Sequence, residues 1–206
     1  ESRHETFIRN VKPDDEEGPT VVATIQAIAK EHHRIGKRDF NDSVHYKKFQ
    51  HTNNLKCINV RDDQISKYPN GDTYDGQFVY TASSDDTAEQ GAQLKHGKGK
   101  YNYANGDQYE GDWQYDKWHG RGTFTGADGR VYCGEYADGK QHGRGAHLYS
   151  MVSSYDGEYI EGIRHGYGVY TYESSVYRGD WEEGKRHGWG EYRHNDGSSY
   201  IGEYMT

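Results

Sequence analysis

Proline and cysteine are scarce in this chain: three prolines and two cysteines in 206 residues. Cys57 and Cys133 supply neither a disulfide framework nor metal-ligand spacing, which fits a reducing compartment. Apolar residues are also short, at 32% with a mean hydropathy of −1.21, a balance that in an ordinary globule indicates disorder. No apolar run approaches the length of a membrane span, and no signal-peptide pattern is present. The chain begins at Glu1 rather than Met, so we expect it to be a portion of something longer.

What the chain has in quantity is glycine and tyrosine, and both are ordered. Tyr109-Glu-Gly-Asp-Trp113 is followed by His119-Gly-Arg-Gly122. The same pattern recurs at Tyr132–Tyr136 with His142–Gly145, at Tyr155–Tyr159 with His165–Gly168, and at Tyr177–Trp181 with His187–Gly190. In all four units the leading Tyr stands ten residues before the His, and successive units are offset by 23, 23, 22 and 23 residues. Such a period accommodates one supersecondary element per repeat. Tyr74–Phe78 reaches its His96–Gly99 only after an insertion, Val79 to Gln90. Tyr200–Tyr204 begins a sixth unit, and Tyr68-Pro-Asn-Gly71 forms a half-unit before the first.

One unit reads as a β-hairpin. Tyr-x-Gly-x-Trp/Tyr is a strand with its aromatics on one face, and His-Gly-x-Gly-x-aromatic is the returning strand. Turns fall at 137–140, 160–163 and 182–185, and again at Asn70-Gly71, Asn105-Gly106, Asp128-Gly129 and Asp196-Gly197, where such pairs provide the positive φ of tight hairpin turns. Glycine weakens a strand unless something needs the space. Sixteen of the 27 glycines occupy three fixed positions of the unit, among them Gly111, Gly134, Gly157 and Gly179. We therefore expect the rings of one hairpin to lie on the glycines of the next, in a thin sheet whose core is made of rings; 19 of the 20 tyrosines lie from Tyr68 onward.

These residues resemble the MORN repeat (membrane occupation and recognition nexus), whose signature is Tyr-x-Gly-x-Trp-x-x-Gly-x-x-His-Gly-x-Gly. The resemblance implies an all-β, elongated, single-layer twisted antiparallel sheet with one hairpin per repeat. The chain departs from the pattern at Asp116, where the mid-turn glycine is missing, and at 151–154 and 173–175, where the Asn/Asp-Gly turn is missing. Turns of other types are expected there.

Domain organisation follows from composition. Residues 1–54 read as an N-terminal segment and 55–206 as the array. Residues 1–19 are polar and read as an extended arm. From Thr20 to Gly36 the apolar residues Val21, Ile25, Ile28 and Ile35 share one helical face, which predicts a helix that either packs on the sheet or docks on another protein. A short helix near 42–50 and a strand at Leu55–Val60 follow, the strand closing the array as an N-terminal cap. The insertion 79–90 reads as an exposed acidic loop.

Charge separates these parts. Residues 1–67 hold 12 Lys/Arg against 11 Asp/Glu, whereas residues 68–206 hold 13 against 22. An acidic array suits a basic protein partner and is a poor match to nucleic acid or anionic lipid.

Neither catalysis nor metal binding is expected, and no cofactor. His96, His119, His142, His165 and His187 fall one per hairpin, as a ladder rather than a converging ligand set, and a hydrogen bond from each to a neighbouring turn is the expected role. Gly120–Gly126 has no Lys-Ser/Thr and no following helix to hold a phosphate. The acids of the repeat (Asp112, Glu135, Glu158, Asp180, Glu203) read as cross-strand charge partners.

The expected function is a non-enzymatic scaffold that binds a helix or an extended peptide of another protein in a groove of the sheet. Trp113, Tyr136, Tyr159 and Trp181 form either the floor of that groove or the internal packing. Tyr167 and Trp189 are the better contact candidates, because Lys98, Arg121 and Arg144 occupy the same position of other units and the fold needs no ring there. The resemblance implies several settings: radial spokes and other axonemal structures, protist cytoskeletal scaffolds, membrane contacts, and enzymes with a lipid-kinase or SET domain, of whose motifs none is present. A cytoplasmic ciliary or cytoskeletal assembly is the expected one. A phosphoinositide-targeting module and an accessory segment of an enzyme are the alternatives. Self-association through the strand at Tyr200–Tyr204 is expected as well.

Overall fold

The computed structural model describes residues 65–81 and 91–205. The expected arm, both expected helices, the strand at 55–60 and most of the insertion lie outside the described residues.

Within them, alternating rings and glycines form twelve strands: β1 (Ser66–Lys67), β2 (Thr73–Tyr80), β3 (Gln93–Asn102), β4 (Gln108–Gln114), β5 (Lys117–Thr125) and β6 (Val131–Ala137), then β7 (Lys140–Ser150), β8 (Ser153–Ile160), β9 (Ile163–Tyr172), β10 (Ser175–Glu182), β11 (Lys185–Arg193) and β12 (Ser199–Tyr204). They make one antiparallel sheet whose order is the order of the chain. The described residues contain no helix. The insertion is shorter than the sequence suggested. β2 continues through the buried Val79, opposite Leu94, and the Thr81 N–H donates to the Ala92 carbonyl at 3.0 Å. The first hairpin is therefore lengthened before the chain reaches residue 82.

Two kinds of turn alternate. The Asp/Glu-Gly pairs at 138–139, 161–162 and 183–184 are two-residue turns with both residues at positive φ (51 and 84° at Asp138-Gly139), the conformation that matches strand twist. Tyr115 and Asp116 adopt it too, at 50 and 67°, so the missing glycine does not change this turn. Asp116 tolerates it because its carboxylate accepts the Lys95 N–H at 2.9 Å and pairs with the Lys95 Nζ at 2.8 Å. The Asn-Gly and Asp-Gly turns are longer, and only their glycine is left-handed; Gly106 donates its N–H back to the Tyr103 carbonyl at 2.9 Å. At Met151-Val152 and Glu173-Ser174 the turn shrinks to two residues, a different type as expected.

The core is a ladder of rings on one face. Tyr74, Tyr109, Tyr132, Tyr155 and Tyr177 are fully buried. Each lies over the glycine two residues on and over its cross-strand partner, as Tyr109 does over Gly111 and Gly122. The covered glycines thus belong to the same hairpin as the ring, not to the next. Each hydroxyl donates to the carbonyl three residues on, for Tyr109 to Asp112 at 2.9 Å, and this tethers the ring across its own glycine. Contact between hairpins falls to the second aromatic. Tyr136 meets Tyr109, Tyr159 meets Tyr132, and Trp181 meets Tyr155, all edge to face at 5.2–5.4 Å. Edge-to-face pairs add about 1 kcal/mol each beyond area burial, so the ladder substitutes for a central core.

Candidate functional site

The ring side of the sheet is closed. Trp113, Tyr136, Tyr159 and Trp181 are all nearly inaccessible, which assigns them to the internal packing. The residues before four of the histidines lie over the rings of this side. Lys95 lies within 5.4–5.9 Å of four rings, Arg164 stands 4.3 Å from the Trp181 ring, Arg186 stands 4.9 Å from Tyr177, and Trp118 stacks on Tyr109 at 4.5 Å. A cation over a ring is attracted by its quadrupole and keeps its charge toward water. Sequence reasoning missed this role. The signal was present, since the position before His holds a long side chain in every unit: Lys95, Trp118, Gln141, Arg164, Arg186. A shallow depression of about 340 Å³ lies beside Tyr101, Tyr103 and Trp118, and its cations Lys95 and Lys117 are already paired with Asp116 and Asp138.

The expected bond from histidine to a neighbouring turn is not made by the Nδ1 atoms of His96 and His119. Both are buried without a hydrogen-bond partner, and His187 Nε2 lies 3.2 Å from Glu182. The backbone takes the expected role instead. The carbonyl of the residue before His96, His119, His142 and His165 accepts an N–H from the next turn: Lys95 from Asp116, Trp118 from Gly139, Gln141 from Gly162 and Arg164 from Gly184, at 2.7–3.0 Å. These main-chain bonds tie each of these turns to the preceding hairpin. Among the described residues no three His, Cys, Asp or Glu side chains are grouped to hold a metal.

The opposite face carries the variable residues. Just after each histidine the returning strand bulges: Gly111 faces Gly122 but Asp112 faces His119, so Gly120 and Arg121 are extra. Gly120 is left-handed at φ 55° to allow it. The bulge exposes a backbone N–H, and the repeat acid caps it. Asp112 accepts the Arg121 N–H at 2.9 Å and Asp180 accepts the Trp189 N–H at 3.0 Å. Burial pushes the Asp112 carboxyl up, but hydrogen bonds from Lys98 and the Arg121 N–H outweigh it and leave the group below the usual carboxylate range.

The bulge position also faces the acid of the following strand, and this builds one row across the back of the sheet. Lys98 opposes Asp112, with an ion pair of 2.6 Å. Arg121 opposes Glu135 and Arg144 opposes Glu158. From β9 onward the cations stop. Tyr167 opposes Asp180 and Trp189 opposes Glu203. The repeat acids thus face a cation in register at the first three places, of which only Lys98–Asp112 closes to an ion pair, and a ring at the last two. Tyr167 and Trp189 are 53% and 67% exposed, where every ladder ring is buried, and Ile201 beside them on β12 is 69% exposed.

A family model of the MORN repeat matches residues 94–108, 109–129, 132–150, 155–175 and 177–199. No protein of curated function matches the chain. With hairpin, glycine and ring of each repeat in place, this chain belongs to the MORN-repeat proteins.

Proposed function

We propose that this chain is a non-enzymatic adaptor that binds other proteins through the back face of its sheet. MORN repeats are protein- and membrane-binding modules, which is the frame for the reading. The observation that carries it is the exposure of Tyr167 and Trp189 at a position where the same fold accepts Lys98, Arg121 and Arg144. Folding does not require rings there, and exposed aromatic side chains are enriched in protein interfaces. The setting is a cytoplasmic ciliary or cytoskeletal assembly, a choice that rests on the family alone. The outer edge of β12 has no strand beside it among the described residues, and a second copy paired along it is part of the proposal.

Phosphoinositide targeting is the competing reading. The back-face cations Lys98, Arg121 and Arg144 each face an acid, which disfavours it. Crosslinking capture from a ciliated-cell extract, run beside flotation on phosphoinositide vesicles, separates the two. Protein capture without flotation is expected; flotation without protein capture would reverse the assignment.

A further inference from the structure

We propose that Tyr167, Asp180, Trp189 and Glu203 seat an amphipathic helix of a partner protein, one that carries two arginines seven residues apart and lies across β9–β12. The inference rests on the adaptor reading and says what that adaptor grips.

The first observation is the break in the back-face row. Upstream, a cation of the chain stands opposite each repeat acid, as Lys98 does opposite Asp112 at 2.6 Å. On β9 and β11 a ring replaces that cation, and Asp180 and Glu203 are exposed. Among the described residues no Lys or Arg stands opposite these two acids, and a partner can supply the missing cations. The regional charge agrees: residues 93–154 hold eight Lys/Arg against seven Asp/Glu, and residues 155–206 hold five against ten.

Spacing selects the partner's secondary structure. Ring, acid, ring and acid follow one another on adjacent strands, so the two acids are two strand spacings apart, about 9.6 Å. Seven residues of helix advance about 10.5 Å and return to the same face. An extended chain returns to one face after two residues or four, at about 6.7 or 13.4 Å, and fits neither. Between the helical arginines, apolar residues three or four positions on fall over Trp189, and those three or four positions before fall over Tyr167.

Arginine fits better than lysine because its planar guanidinium can stack on a ring while bonding a carboxylate. The ring side of this sheet shows the stacking: Arg164 stands 4.3 Å from the Trp181 ring and Arg186 stands 4.6 Å from Tyr192.

The test uses the whole chain and a fluorescein-labelled, alanine-based helical peptide bearing two arginines seven residues apart with leucines between them. Fluorescence anisotropy should show binding that weakens with salt and with replacement of both arginines by lysine. The double variant Tyr167→Arg/Trp189→Arg copies the residues of other units and should keep the melting temperature, yet bind at least ~10-fold more weakly. Glu203→Gln, on the outermost strand, gives a second variant that should weaken binding without touching the ring ladder. Absence of peptide binding, or equal binding by folded double variant and wild type, overturns the proposal. Crosslinking capture from cell extract separates this from the adaptor reading. A protein captured equally by wild type and double variant removes the seat and leaves the adaptor, whereas vesicle flotation with no captured protein removes the adaptor itself.

Discussion

The indole N–H of Trp181 donates to the Gly168 carbonyl at 3.2 Å, while its ring stands edge-on to Tyr155 of the preceding hairpin. Trp113 does the same to Gly99 at 3.1 Å. Tyr136 holds the equivalent place two units before Trp181, edge-on to Tyr109, and its hydroxyl is buried without a partner. The same slot is thus satisfied by tryptophan and left unsatisfied by tyrosine, and Gly122 offers the carbonyl that an indole at 136 would reach.

This difference gives the first prediction. Tyr136→Phe should be neutral or slightly stabilising, because it removes a buried hydroxyl that bonds to nothing. Tyr132→Phe removes the hydrogen bond to the Glu135 carbonyl, 3.1 Å, and should cost about 1 kcal/mol. Urea denaturation of both variants checks this, and equal losses would contradict the hydrogen-bond assignment.

Gly157→Val should destabilise by more than ~1 kcal/mol. A Cβ at 157 would stand 2.6 Å from the Gly168 Cα and 2.6 Å from the Tyr155 Cζ, so both the paired strand and the ring would have to move. Thr123→Val on the back face keeps shape and volume and should be near neutral. Thermal melts that coincide for the two variants would refute the role of the glycines.

His147 occupies the place that Tyr101, Phe124, Tyr170 and Tyr192 hold in other units, opposite the ladder Tyr132. Burial among rings, with Arg130 and Arg164 nearby, lowers its pKa to about 4. The unfolded chain, with a histidine near ~6.5, binds this proton more readily than the folded one. Stability is therefore fully present above pH ~6.5 and falls as pH drops toward ~4. His147→Phe should flatten that part of the pH dependence, read as melting temperature across the window. A slope identical to wild type would assign it to other groups; His96, whose pKa is also lowered chiefly by burial, is the next candidate.

The edge of β12 should mediate self-association. Ile201 lies in this strand, 69% exposed. Ile201→Lys places a charge where a second sheet would pair and should reduce light scattering at high protein concentration. Scattering of a monomer at every concentration, unchanged by the substitution, would exclude edge pairing.

The repeat, its hairpin and a core made of rings over glycines were legible in the sequence because the period-two alternation and the turn pairs act locally; that each ring covers the glycines of its own hairpin and not of the next was not. A Tyr two residues before a Gly in a strand reaches across it whatever follows, and Glu161-Gly162 turns the chain with only its own φ angles. What the histidines do was not legible. The contact to the next turn is made by backbone instead, through the carbonyls of Trp118, Gln141 and Arg164, and nothing in the motif marks it. The side of the sheet that faces outward was decided by tertiary structure as well. Sequence period placed Trp181 and Trp189 eight residues apart on the same motif and made both candidates for contact. The bulge after His187 sets Trp189 on the back face opposite Glu203, while Trp181 turns inward beneath Arg164. Only the register and bulges of pairing between neighbouring strands determine which ring is covered and which is left for a partner.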